Sequence, residues 1–270
     1  MSLLSYITRL PFALGLWERF PVGSVASRVY YGVFPYANYA YGAYWAAVQA
    51  SRLGIPRITV MEFGVAGGRG LVALEQASLQ IEREVGVGID VVGFDSGEGM
   101  PPALDYRDLP HIWGTGFYKM EPGKLRGQLT RAQLVLGNVA ETVPAWLRGS
   151  ARAPLGFVSF DLDYYSSTKA AFALFEGSAS AHLPRVYCYF DDVCSNALGC
   201  MTEHLGELLA IREFNEAHPT RKIGKIEQIR VHRPRWEIWQ DRIYAFHDFA
   251  HPQYNTMLIE QAVKERQLPL

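Results

Sequence analysis

Two groups of residues have the types and spacing for chemistry. The first is the run Glu62-Phe63-Gly64-Val65-Ala66-Gly67-Gly68-Arg69-Gly70, entered from the apolar stretch Ile58–Phe63. Glycines at such a turn permit positive φ and let a ligand lie against the backbone. A G-x-G-x-x-G spacing would place a pyrophosphate at the following helix N-terminus. Here the glycines stand at 64, 67, 68 and 70, so that spacing is not met. The carboxylate of Glu62 suits a cationic ligand, one bearing an ammonium and a sulfonium, better than a pyrophosphate. Glu62, Gly64, Ala66, Gly67, Gly68 and Gly70 are therefore candidate binding residues.

The second group is acidic. Asp95 closes the apolar stretch Ile89–Phe94 and is followed by Ser96 and Gly97. A carboxylate there can accept both hydroxyls of a ribose; the competing reading is a turn or N-cap. Asp161 follows Leu155–Phe160, and Asp191-Asp192 follow Val186–Phe190. Carboxylates at adjacent strand ends repel one another, and a hard divalent cation with oxygen ligands relieves the repulsion. Asp161, Asp191 and Asp192 are the candidate ligands of such an ion, which could hold two neighbouring hydroxyls and lower the pKa of one. The competing reading makes Asp163 and Asp192 helix caps, with Ser166, Ser167 or Thr168 doing the same. Asp161 and His111 are the candidate catalytic groups, His111 as a general base in an irregular segment that could cover the site. His247 and His251 flank Asp248, but Pro252 argues against a helical metal pair, and they read as packing or surface residues.

These residues need a frame. From Tyr39 to Arg52 the pattern predicts a helix, closed by Gly54 and Pro56. Strands are predicted at Ile58–Phe63, Ile89–Phe94, Ala132–Leu136, Leu155–Phe160 and Val186–Phe190. Helices are predicted at Leu71–Glu84, Ala140–Leu147, Ser166–Ser178 and Asn196–Glu216. Two further strands are predicted at Lys225–His232 and Arg242–Phe246. Asp105–Leu129 reads as irregular, then helical. Alternating strands and helices imply an α/β fold, a Rossmann-like doubly wound sheet with helices on both faces. The last two strands would form an antiparallel pair at its C-terminal edge. In such a sheet the site lies beyond the carboxyl ends of the strands. Those ends carry Glu62/Gly64, Asp95, Gly137/Asn138, Asp161 and Asp191/Asp192.

The chain has 270 residues, 49% hydrophobic and 20% charged, enough for an ordinary core. The predicted organisation is a helical, aromatic segment over 1–54, the α/β domain over 55–250 and a tail over 251–270. With 26 basic and 27 acidic residues, no positive excess points to nucleic acid. The first twenty residues are interrupted by Arg9 and Pro11 and do not form a signal peptide, and no run is long enough for a membrane span. Cys188, Cys194 and Cys200 form no CxxC pair, which fits a cytoplasmic setting. The aromatic stretch Tyr30–Trp45 suits a homodimer contact or an acceptor pocket, and otherwise core.

At these residues the chain resembles a known family. Met61–Gly70 looks like motif I of the class I methyltransferases. Gly93-Phe-Asp-Ser-Gly-Glu-Gly-Met-Pro101 is similar to the "GFDSFEGLP" signature of the macrocin O-methyltransferase family. Asp161-Leu-Asp-Tyr-Tyr-Ser-Ser-Thr168 resembles that family's "DGDLYEST", and Phe190-Asp191-Asp192 its "DDY". The matches keep the family's order and span roughly Ile55 to Ser195, about half of the chain. Gly97 replaces the signature Phe, Leu162 the Gly between the two acids, and Val193 the Tyr after the Asp pair. The resemblance implies S-adenosylmethionine over Glu62–Gly70 and Asp95; Ser96, Asn138 and Asp161, at the neighbouring strand ends, are further candidate cofactor-binding residues. It also implies magnesium on Asp161, Asp191 and Asp192, and methyl transfer to a hydroxyl of a small molecule or sugar. The rival readings are a nicotinamide-dependent oxidoreductase, against which the glycine spacing and Glu62 argue, and a non-catalytic scaffold of the same fold.

Overall fold

A computed structural model of the chain describes residues 12–149, 152–194 and 198–259. The first eleven residues of the predicted N-terminal segment, the first two of the helix predicted from Asn196 and positions 260–270 of the tail lie outside them. Three helices come first: α1 (Ala13–Arg19), α2 (Val25–Tyr31) and α3 (Ala37–Arg52). Then β1 (Arg57–Phe63), α4 (Arg69–Val85), β2 (Gly88–Asp95), α5 (Pro122–Arg126), β3 (Gln133–Leu136) and α6 (Val139–Arg148) follow. The chain continues through β4 (Leu155–Phe160), α7 (Tyr165–Ala171), β5 (His182–Phe190), α8 (Gly206–Ala217), β6 (Arg221–Lys225) and β7 (Ile243–Asp248).

The strands form one sheet in the order β3-β2-β1-β4-β5-β7-β6. β1 to β5 pair in parallel, and β7 runs antiparallel to both β5 and β6. The mostly parallel sheet with an antiparallel pair at its C-terminal edge is therefore present. The dinucleotide order 3-2-1-4-5-6 has no strand between its fifth and sixth; here β7 occupies that place.

Side chains alternate along each strand, so each strand feeds two cores. Ile58 and Val60 of β1 join one cluster with α3 and α4, while Met61 and Phe63 join another with α6, α7 and α8. α3 lies close to the sheet because its inward face is small: Ala43, Ala46, Ala47 and Ala50 are fully buried. A Cβ on Gly42 would stand 2.2 Å from the Phe157 ring. α4 is bounded by left-handed Gly68 and Gly86 and buries Leu71, Leu74, Ala77 and Ile81 at helical spacing.

Three predicted elements differ. The helix predicted at Ser166–Ser178 is α-helical only to Ala171 and tightens into a 3₁₀ turn over Phe172–Phe175. The strand predicted at Lys225–His232 is instead the shorter β6, after which Gln228 takes a left-handed φ of 57° and Ile229–His232 forms a 3₁₀ turn. A left-handed residue cannot continue a β ladder. The helix predicted from Asn196 begins only at Gly206, and the left-handed backbone of Cys200, φ 48°, rules out a continuous helix before it.

What positions the site is a row of four phenylalanines. Phe63 is in register with both Phe94 and Phe160, and Phe160 with Phe190. Their rings stack across four strands at centroid distances of 4.8, 5.6 and 4.7 Å, all buried. Each buried ring contributes roughly 1.5–3 kcal/mol. With the register pinned by this row, the next residues of the four strands, Gly64, Asp95, Asp161 and Asp191, emerge at one level.

Candidate active site

A cavity of about 550 Å³ opens above that row, a size suited to a small-molecule ligand. Gly64 and Ala66 line it from the turn after β1, Asp95 and Ser96 from the end of β2, and Gly137 and Asn138 from the end of β3. Asp161, Leu162 and Asp163 line it from the end of β4, and Asp191 and Asp192 from the end of β5. Five consecutive strand ends thus meet in one space.

The turn is built by close approach. Gly64 has φ 80°, and a Cβ there would lie 1.7 Å from the carbonyl oxygen of Asp161. A Cβ on Gly70 would lie 2.0 Å from Glu62 Oε1, and one on Gly68 would meet Leu125, whereas Gly67 faces open space. Glu62 itself is buried behind the turn. Its Oε1 accepts the Tyr39 hydroxyl at 2.8 Å, and its Oε2 has no partner among the described residues. Burial holds its carboxyl well above the ordinary range. Glu62, Gly67, Gly68 and Gly70 therefore shape the turn from outside the cavity wall.

Asp95 is oriented by the turn. Its Oδ2 accepts from the Ala66 amide at 2.8 Å and its Oδ1 from the Gly97 amide at 2.6 Å. Each oxygen keeps a second acceptor site, so the carboxylate can still take two hydroxyls. Ser96 closes its own turn, donating to Gly99 O and accepting from the Glu98 amide. Asn138 caps α6 by accepting from the Ala140 amide.

The other half of the cavity is acidic. Asp192 Oδ2 accepts the Asp163 amide at 3.1 Å, and the Asp192 amide donates to buried Glu207. Asp191 is held by Arg242 at 2.6 Å and by the Tyr189 hydroxyl at 2.5 Å. Neither Asp163 nor Asp192 caps a helix. Asp108, from the irregular segment after β2, takes that place on α7, accepting from the Ser166 amide and hydroxyl at 2.9 Å each. The donor set is all carboxylate oxygen, a chemistry that suits a hard divalent cation, with Asp192 buried and Asp191 part-exposed and paired with Arg242. Among the described residues, no group of three or more His, Cys, Asp or Glu side chains is gathered to hold a metal ion.

The structure does not bring His111 to this place: it is exposed and not among the residues lining the cavity. No described residue of the N-terminal segment lines it either; Tyr39 stands behind the wall, donating to Glu62. The groups missed from sequence are Trp113, Tyr118 and Glu98 on the wall, and Arg242 behind Asp191. The repeated acid of Asp161-Leu-Asp163 was the available signal for Asp163. Backbone strain collects here too. Ala66, Tyr118 and Asp163 line the cavity with φ of 45°, 59° and 58°, each costing about 1–2 kcal/mol.

Glu62, Asp161, Asp163, Asp192 and Glu207 all have carboxyl groups held above the ordinary range, first by burial and, for the last four, next by a neighbouring aspartate. A carboxyl whose folded pKa is raised stabilises the fold below its unfolded pKa, about 4. That contribution is lost as pH rises through the folded value. The metal-free protein should therefore melt at a lower temperature at pH 8 than at pH 5. Calorimetry in a chelator checks this, and a melting temperature that rises over that interval would contradict it.

No protein-family model and no curated protein sequence matches the chain. Among solved structures it is similar to CalS11, a calicheamicin methyltransferase, at 21% identity over 76% of each chain with a TM-score of 0.49. It is also similar to the O-methyltransferase TomG from Streptomyces achromogenes, involved in tomaymycin synthesis and solved with S-adenosylmethionine. That match has 12% identity over 76% of this chain and 77% of the other, TM-score 0.38. A third similar structure is the plantazolicin methyltransferase BamL with S-adenosylhomocysteine, at 8% identity over 90% and 92%, TM-score 0.40. Among the described residues no helix is long and apolar enough to cross a membrane.

Proposed function

We propose that the chain is an S-adenosylmethionine-dependent methyltransferase acting on a hydroxyl of a small molecule or sugar. The observation that carries this reading is one cavity in which the glycine turn and Asp95 stand beside the acidic ends of β4 and β5. When bound, S-adenosylmethionine supplies an electrophilic methyl group on a sulfonium. Gly64 and Ala66 offer backbone with little side chain in the way, and Asp95 offers its remaining acceptor sites to the ribose hydroxyls. Asn138 and Ser96 flank the same end. Asp161, next to the turn, would take up the proton of the acceptor hydroxyl as the O–CH₃ bond forms and the methyl–sulfonium bond breaks, its electron pair leaving on the sulfur of S-adenosylhomocysteine. The rest of the protein's work is alignment of donor and acceptor.

Magnesium is a finer part of the proposal. Asp161, Asp191 and Asp192 would hold it, Asp191 leaving Arg242 to do so, and it would supply the charge that acidifies the hydroxyl. Methyl transfer from labelled S-adenosylmethionine should then stop in a chelator and return with added magnesium. Asp191→Ala should lose the metal-dependent activity with little loss of cofactor affinity. Full activity in the chelator would discard the metal and leave the proton to Asp161 alone.

A further inference from the structure

The segment between β2 and β3 supplies an apolar and aromatic stretch of cavity wall that no sequence signal marked. Met100, Pro101, Trp113 and Tyr118 line the cavity from it. Tyr118 is the unusual member. It lines the cavity yet stays 55% exposed, a large ring left half in solvent. Its φ is 59°, and a bulky side chain with such a backbone is a genuine outlier.

Strain of this kind persists only where the surroundings over-determine it, and it collects at ligand contacts. The surroundings here do so. The Met100 amide donates to Phe117 O and the Gly116 amide to Met100 O, at 2.8 Å each, which clamps the chain just before Tyr118. Trp113 and Phe117 brace the ring edge to face, with centroids 6.3 and 6.1 Å away. The Tyr118 hydroxyl is held above its ordinary range, first by partial burial and then by Asp163, Asp192, Asp161 and Asp191. The ring therefore stands by the acidic half of the cavity, where an acceptor hydroxyl would meet Asp161. A half-exposed aromatic face on a cavity wall is matched by a second flat face, an aromatic ring or the C–H face of a pyranose. Either covers it without desolvating a polar group.

We infer that Tyr118 is an acceptor-binding residue of this site, its ring face stacking on a ring of the molecule whose hydroxyl meets Asp161. This rests on the methyltransferase reading above. The acceptor is cyclic, and the hydroxyl to be methylated lies on or next to the stacked ring. An acyclic polyol would leave the face of Tyr118 uncovered.

The test uses the full chain saturated with S-adenosylhomocysteine and titrated calorimetrically. The probes are catechol, an aromatic diol; methyl α-glucopyranoside, a pyranose; and erythritol, which has hydroxyls and no ring. At least one ring probe should bind about tenfold more tightly than erythritol, and which one does so tells an aromatic acceptor from a sugar. Tyr118→Asn removes the ring and suits a left-handed backbone. It should bind the ring probe about tenfold more weakly, with no loss of S-adenosylhomocysteine affinity and no fall in melting temperature. Tyr118→Phe keeps the ring and should bind as the parent does. Failure of both ring probes to bind, erythritol binding as tightly as they do, parent-like affinity in Tyr118→Asn, or an equal loss in Tyr118→Phe would overturn the inference. Weaker S-adenosylhomocysteine binding or a lower melting temperature in Tyr118→Asn would also overturn it, making Tyr118 a cofactor contact or a structural residue. Failure of the unaltered protein to bind S-adenosylhomocysteine is a different result and removes the methyltransferase reading itself.

Discussion

Gly64→Ala should cost the fold about 4 kcal/mol or more, read as a shift in the chemical denaturation midpoint. The added methyl would stand 1.7 Å from the carbonyl oxygen of Asp161, and φ at this position is 80°. Neither conflict can relax cheaply. The clash is with backbone, not with the end of a flexible side chain, and both strands are pinned by the Phe63–Phe160 stack, 5.6 Å between centroids. Gly67→Ala is the control. Its methyl meets nothing within 4 Å and its φ is not left-handed, so it should change stability by less than about 1 kcal/mol. Equal effects from the two substitutions would mean that the turn does not pack against β4 as described.

Asp161→Asn should separate activity from stability in opposite directions. The carboxyl of Asp161 is held high by burial and then by Asp192 and Asp191. At pH 8 an ionised group there is costly, and an amide of the same shape removes that charge. The backbone of Asp161 still donates to Phe63 O at 3.0 Å, so the strand end keeps its anchor. The variant should melt higher than the parent at pH 8, with kcat lower by about 10²–10⁴-fold. This is the trade between stability and a strained, charged site. A variant with undiminished kcat would remove Asp161 from the chemistry, and a lower melting temperature at pH 8 would mean that its charge is already compensated.

Much of the frame was legible because buried parallel strands are continuous apolar runs. Leu155–Phe160 matches the observed β4 at both ends, and β1 and β2 differ from expectation by one residue at each end or less. The strand-end residues followed, because period-two register leaves little choice once the runs are known. What escaped has no period. Arg242 meets Asp191 across 51 positions, and Asp108 meets Ser166 across 58, so no local spacing announces either. Trp113 and Tyr118 sit in irregular chain, where an aromatic residue looks the same whether it faces a ligand or solvent. His111, close in sequence to Asp108 and Trp113, ended up exposed for the same reason: an irregular segment does not fix which side chains turn inward. The lengths of the later elements also failed locally, where single left-handed residues at Cys200 and Gln228 interrupt patterns that composition alone would continue.

The most direct measurement is calorimetric titration of the full chain with S-adenosylhomocysteine, with NADH as the competitor chemistry. The account predicts micromolar, one-to-one binding of S-adenosylhomocysteine, weakened at least tenfold by Asp95→Ala through loss of the ribose contact, and no binding of NADH. Binding of NADH without S-adenosylhomocysteine would hand the glycine turn to a dinucleotide, and binding of neither would leave the cavity without the cofactor on which the whole reading depends.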